Sequence, residues 1–303
     1  MRWSPGQRSE DLEDRRAESG MGGPGLPGGG FRLPGGRGLG LGGVLVLAVL
    51  SLIFGQDLLS GVATGPAVQV PSGSRPAPGS GAAVRASPEE EKLVDFVSFV
   101  LDDVQATWDR ELERRGAAYR RTKLVLFRDY YPSACGDASG ATGPFYCPVD
   151  EKVYIDLGFY DDLRRRFGAP GDFAQAYVLA HEVGHHVQNI LGLTEAVHRA
   201  RQRGSPDANA LSVRLELQAD CLAGVWGRSG DRRNLLEAGD VEEGLNAAAA
   251  VGDDRLQRMA TGRVAPESWT HGSSRQRAEW FQRGFQRGAL EDCDTFGRTG
   301  RSP

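Results

Sequence analysis

The 303-residue sequence predicts an α+β fold that is mostly helical, with a small sheet, preceded by one transmembrane helix. Three observations carry this reading. Apolar residues recur at helical spacing over most of the chain beyond residue 87. Only two short runs, Thr122 to Asp129 and Lys152 to Leu157, have the apolar, β-branched and aromatic content of strands. Gly38 to Gly55 is a run of 18 residues without a charge, flanked by Gly-rich and Pro-rich sequence.

The elements follow in order. Residues 1–37 mix Gly, Pro, Arg and acids, which predicts a disordered tail. As a helix the 38–55 run spans roughly 27 Å, enough for a bilayer core. A cleaved signal peptide is the rival, but the run is long, lies far from Met1 and is not closely followed by a small-x-small cleavage site. Arg2, Arg8, Arg15, Arg16, Arg32 and Arg37 precede it, and only Arg75 and Arg85 follow it before the next helix. The positive-inside rule then puts the N-terminus in the cytoplasm and the remainder outside, in the cell envelope. Residues 56–87 are rich in Pro, Gly, Ser and Ala and read as a flexible linker.

One domain is expected over 88–297, with a disordered tail at 298–303. Ser87 caps a helix to about Arg115. Phe159 to Phe167 reads as a short helix. Asp172 follows Gly171 as the cap of a helix in which Phe173, Ala176, Tyr177, Ala180, Val183, Val187 and Ile190 keep a 3.6-residue period, and Gly192 stops it. Further helices are expected near Glu195 to Arg203, through Leu211 to Trp226, over Val241 to Met259, and over Ser274 to Arg287 with Ser273 or Ser274 as cap.

Composition narrows function. The formal net charge is −4 and the pI about 5.8, so nothing points to nucleic acid. All four cysteines, Cys135, Cys147, Cys221 and Cys293, lie beyond the uncharged run, and an even count in an oxidising compartment favours disulfides. Cys135 and Cys147 bracket a Gly-rich and Ser-rich loop and should pair, leaving Cys221 with Cys293. Their spacings lack the close C-x₂-C of structural zinc sites.

The chemistry is concentrated in His181-Glu182-Val183-Gly184-His185. On a helix, residues i and i+4 share a face. Two imidazoles so placed can grip one Zn²⁺, with the glutamate between them reaching a water on the metal. The bland reading is a helix that happens to hold two histidines. A catalytic zinc site needs a third protein ligand and one open position. A third histidine shortly after His185 is excluded, because Gln188 and Leu191 fill the slots it would need. Glu216 and Asp220 offer another solution: on one face of a largely apolar helix, Glu216 would ligate the metal and Asp220 would accept the outward N–H of a ligand histidine. Buried carboxylates need such partners. His186 points about 100° away from His185 and reads as a packing histidine. His198 lies in a polar run and reads as solvated. His271, beside a helix cap, either donates to an oxyanion or is structural.

Several ordered motifs together resemble the bacterial neutral zinc metallopeptidases, a family of membrane-anchored proteins. They are Met1-Arg2-Trp3, Glu13-Asp14-Arg15-Arg16, Ala134-Cys135-Gly136, Gly143 to Pro148, Val153 to Asp156, the HEVGHHVQN run from His181 to Asn189, Glu216 to Trp226, and Thr270 to Ser274. The resemblance covers nearly the whole chain. It implies a zincin-like metallopeptidase domain of the gluzincin type, with Glu216 as third ligand. It also implies that Lys152 to Leu157 is an edge strand that holds the substrate backbone. The expected activity is hydrolysis of a peptide or protein substrate, with one Zn²⁺ on His181, His185 and Glu216, Glu182 as general base, and His271 at the oxyanion. Endopeptidase action is favoured because no exopeptidase-type glutamate motif precedes the HEVGH helix. The alternatives are a zinc-binding envelope scaffold or adaptor without turnover, and a purely structural metal.

Overall fold

Strand-forming sequence is scarce in this chain, and the sheet is correspondingly small. In the computed structural model, which describes residues 1–18, 86–139 and 143–297, it has four strands in the order β1-β2-β6-β5. These are β1 (Leu12–Asp14), β2 (Lys123–Phe127), β5 (Phe145–Cys147) and β6 (Lys152–Asp156). β1 and β6 flank β2 in parallel, with Leu12 and Val153 both opposite Leu124, and β5 is antiparallel to β6. A separate hairpin, β3 (Tyr130–Ser133) with β4 (Gly136–Ser139), follows β2. β6 is buried on nearly every residue, as a strand flanked on both sides must be.

The expected edge strand is therefore corrected. Lys152–Asp156 lies inside the sheet, whose edges are Leu12–Asp14 on one side and Phe145–Cys147 on the other, the latter a strand too short for its period to be read from sequence. Cys135 pairs with Cys147, which ties the hairpin to this edge.

Eight α-helices are found among the described residues: α1 (Pro88–Glu113), α2 (Phe159–Arg165), α3 (Asp172–Ile190), α4 (Leu193–Gln202), α5 (Ala208–Arg232), α6 (Asp240–Ala250), α7 (Asp253–Thr261) and α8 (Ser274–Arg287). Ser87 caps α1 through the Glu90 amide, and Ser273 and Gln276 form a reciprocal capping box on α8. The cap of α3 is Gly171 rather than Asp172. Asp172 is the first helical residue, and its carboxylate takes the Met1 ammonium at 2.8 Å. The single helix expected over Val241 to Met259 is two. The helix breaks at Val251 and Gly252, and beyond the break the Asp253 carboxylate collects the backbone N–H groups of Thr270, His271 and Gly272.

Two helix contacts position the site. At Gly184 on α3 an added Cβ would lie 3.2 Å from the Ala219 carbonyl oxygen, so the third position of the H-E-x-x-H intervening run is small because α5 approaches there. At Gly224 and Gly284 added Cβ atoms would lie 2.1 and 1.9 Å from the carbonyls of Phe281 and Cys221, so α5 and α8 meet backbone to backbone. The Cys221–Cys293 disulfide then fastens the C-terminal segment onto α5.

The first 18 residues contradict the expectation of a disordered tail, and the domain begins with them rather than at residue 88. Met1 is buried, Trp3 packs on Phe96 at 5.2 Å between ring centroids, and Leu12 packs against the core. Arg8 pairs with Asp95, and Arg16 bonds Glu90 and Glu91 at 2.7 and 2.8 Å. Met1, Trp3 and Leu12 thus join the core, and two of the segment's arginines, Arg8 and Arg16, meet the acids of α1. The 38–55 run, the 56–85 linker and 298–303 lie outside the described residues. Among the described residues no helix is long and apolar enough to cross a membrane.

Replacing Trp3 with Ala should destabilise the domain by about 2–3 kcal/mol, the low end for an aromatic truncation because Trp3 is only partly buried. Chemical denaturation of the full chain checks this; an unchanged midpoint would return residues 1–18 to the status of a tail.

Candidate metal centre

The H-E-x-x-H helix and the Glu216 helix converge. α3 carries His181 and His185 one turn apart, their ring centroids 4.8 Å apart. α5, held close at Gly184, presents Glu216 to both. Its Oε2 lies 3.2 Å from His181 Nε2 and its Oε1 lies 3.5 Å from His185 Nε2. One ligand atom from each of the three residues lies within 4.8 Å of the others. The sequence placed these residues together, and the structure does too.

The outer nitrogens decide what the inner ones offer. His181 Nδ1 donates to Asp220 Oδ1 at 2.9 Å, as the i, i+4 spacing from Glu216 predicted. His185 Nδ1 donates to the Gln188 amide oxygen at 2.8 Å. Both Nε2 atoms are then left as acceptors facing a carboxylate. Three acceptors in contact, one buried and two partly buried, repel one another unless a cation or a proton lies between them. Glu182 fits the same picture: it is buried, and its Oε2 has no hydrogen-bond partner. These residues suit a divalent ion with nitrogen and oxygen ligands and an adjacent base.

In the metal-free protein a proton takes that place. Burial opposes a charge on His181, but the Asp220 and Glu216 carboxylates outweigh it and raise its pKa to about 9. Burial likewise opposes the Glu216 charge, yet His185 and His181 hold its carboxyl well below the usual range.

Sequence reasoning missed the group that supports Asp220. Arg277 on α8 is buried, with Nε 2.8 Å from Asp220 Oδ2 and Nη2 2.9 Å from Oδ1. Nη2 is also 3.3 and 3.4 Å from the ring nitrogens of His181, and the Tyr177 hydroxyl donates to Asp220. The Asp220 carboxyl pays a burial penalty, which Arg277 and His181 more than offset, so it stays ionised. Arg277 carried no signal in the sequence: it sits among Arg275, Gln276 and Glu279 on a helix that reads as surface.

His271 is half-exposed, and its Nδ1 is 3.0 Å from Asp253 Oδ1, a partner that sequence reasoning also missed. Burial lowers its pKa, while Asp253 and Glu216 raise it by more. With His181, Glu182, His185 and Glu216 it lines a cleft of about 900 Å³. The rest of the wall is largely apolar, including Phe145, Phe159, Val178, Val197 and Leu215. His186 is buried outside the centre, its ring held between the Tyr146 hydroxyl and the Arg120 carbonyl, and His198 is exposed.

An H-E-x-x-H helix joined by a glutamate from a later helix defines the class: a zinc metallopeptidase-type centre with two histidines and one carboxylate. The chain belongs to the family described as "putative neutral zinc metallopeptidase", whose model matches residues 1–296. It is 47% identical over 302 residues to the uncharacterized protein YpfJ of Escherichia coli (strain K12), covering 99% of this chain and all of that one. It is 45% identical over 206 residues to the uncharacterized protein Rv2575 of Mycobacterium tuberculosis (strain ATCC 25618 / H37Rv), covering 64% of this chain and 68% of that one. No solved structure matches the chain.

Zinc must displace the His181 proton, so zinc affinity should fall as pH drops below about 9, by about tenfold per pH unit while one proton competes. Chelator competition between pH 6 and 9 measures this, and an affinity independent of pH would contradict the assigned proton.

Proposed function

We propose that the protein is a zinc-dependent peptide hydrolase acting as an endopeptidase, with one zinc ion held by His181, His185 and Glu216. The observation that carries this reading is the convergence of three acceptors beside a buried, partnerless Glu182 oxygen on the wall of a cleft. Zinc in such a site lowers the pKa of a water towards 7 and polarises the scissile carbonyl. Glu182 takes the proton of the attacking water and delivers it to the leaving amine nitrogen. Asp220, ionised between Arg277 and Tyr177, keeps the His181 proton on Nδ1 and so keeps Nε2 available. His271, anchored through Nδ1 by Asp253, has Nε2 left to donate to the oxyanion. A peptide would lie along the open edge of Phe145–Cys147, with its side chains against the apolar wall.

The location we infer is extracytoplasmic, because two disulfides that leave no free cysteine among the described residues suit an oxidising compartment. Residues 1–18, packed on α1 and the sheet, share that compartment.

Glu182→Gln should retain zinc and fold while lowering peptide cleavage by at least 10³-fold, as expected for loss of the base. Cleavage of a broad peptide library by the zinc-loaded protein and this variant is the measurement. Equal cleavage by both would remove Glu182 from the mechanism, and zinc binding without cleavage by either would leave a metal-holding scaffold. For the location, a cysteine in place of Gly6, where an added side chain has open space, should react with a membrane-impermeant maleimide in intact spheroplasts. Labelling only after lysis would put the first strand in the cytoplasm.

A further inference from the structure

The two histidines of the centre are oriented by different chemistry. His181 leans on a carboxylate, whereas His185 leans on a neutral amide. That amide is the start of a chain of contacts. Gln188 is fully buried and accepts from His185 Nδ1 through Oε1 at 2.8 Å. Its Nε2 donates twice, to the Leu215 carbonyl at 2.6 Å and to Gln218 Oε1 at 3.1 Å. Gln218, also buried, donates its own Nε2 to the Cys293 carbonyl at 2.9 Å. Cys293 is disulfide-bonded to Cys221, and the segment around it is held further by Thr295, which donates to the Arg214 carbonyl at 2.7 Å.

The relay has a fixed direction. Turning the Gln188 amide over would set its NH₂ against the His185 N–H and its oxygen against the Leu215 carbonyl. Turning Gln218 over would set its oxygen against the Cys293 carbonyl. Because both amides are buried, each reversal strands donors and acceptors. The Cys293 carbonyl therefore dictates the orientation of Gln218, Gln218 and Leu215 dictate that of Gln188, and Gln188 holds the proton of His185 on Nδ1. The Nε2 lone pair is thereby left for the metal.

We propose that Gln188 and Gln218 are positioning residues for the metal ligand His185, and that the Cys221–Cys293 disulfide anchors them, so that the centre's grip on zinc depends on the oxidation of a disulfide that touches no ligand. This rests on His185 being a zinc ligand. It adds that the C-terminal segment, through its backbone carbonyl, completes the centre. Opening the disulfide removes one tie on the segment that carries the Cys293 carbonyl, which loosens the constraint on Gln218 and then on Gln188.

The test is zinc affinity by chelator competition, together with the visible spectrum of the cobalt(II)-loaded protein. The forms compared are the wild type, Gln188→Leu, Gln218→Met, and a variant with both Cys221→Ala and Cys293→Ala. Gln188→Leu should bind zinc roughly 10–100-fold more weakly, the usual effect of losing a partner behind a ligand. The Gln218 and double-cysteine variants should show smaller losses in the same direction, and the cobalt bands should shift in all three. A packing role alone would lower thermal stability without moving the cobalt bands. If the wild type binds zinc and all three variants match its affinity and spectrum, the proposal is overturned. Failure of the wild type to bind zinc would instead strike the reading of His185 as a ligand. Should a variant not fold, ¹⁵N spectra of the wild-type imidazoles decide: a His185 proton on Nδ1 that exchanges slowly with solvent is required, and a fast-exchanging or absent one refutes the relay.

Discussion

The centre is organised around a repulsion. His181 Nε2, His185 Nε2 and the Glu216 carboxylate meet on the wall of the cleft, and each presents lone pairs to the others. Such a cluster is stable only with positive charge in its middle. The surroundings keep it in that state by holding the ring protons outward on Asp220 and Gln188. The fold thus maintains a site whose electrostatics call for a cation, and a proton on His181 serves when no metal is present.

Keeping that arrangement requires rigid backing, and three helices supply it. α3 and α5 touch at Gly184, α5 and α8 touch at Gly224 and Gly284, and α8 brings Arg277 to Asp220. A buried carboxylate this close to a ligand histidine would be costly alone. Paired with a buried guanidinium and a tyrosine hydroxyl, it becomes a fixed negative charge. The small residues at the contacts and the charges at the centre are parts of one constraint: the helices must be close for the carboxylates to reach.

The N-terminal segment extends the same economy to the far side of the domain. Its ammonium lies among Asp172, Glu237 and Asp240, at the first residue of the helix that holds both histidines. A stretch that looks like solvated tail is thereby joined to the helix that carries His181 and His185 and, through β1, to the sheet. Since the segment and the domain are one body, compartment is a property of both together.

Much of the centre was legible in the sequence. Helical spacing alone places His181 and His185 on one face of their helix, and Glu216 with Asp220 on one face of a later helix, because a helix converts sequence separation into direction. The helices around them, the pairing of the four cysteines and the solvated His198 were legible for similarly local reasons. What only the tertiary structure decided depends on neighbours far apart in the chain. Arg277 and Asp253 looked like surface charges until α5 and the Thr270–Gly272 backbone came to face them. Met1–Glu18 lacks a period of its own and becomes ordered only because α1 and β2 offer matching charge and an open strand edge. The edge of the sheet passed to Phe145–Cys147 for the same reason: a strand's place in a sheet is set by its pairing partners, and local pattern does not record which side of a strand remains free.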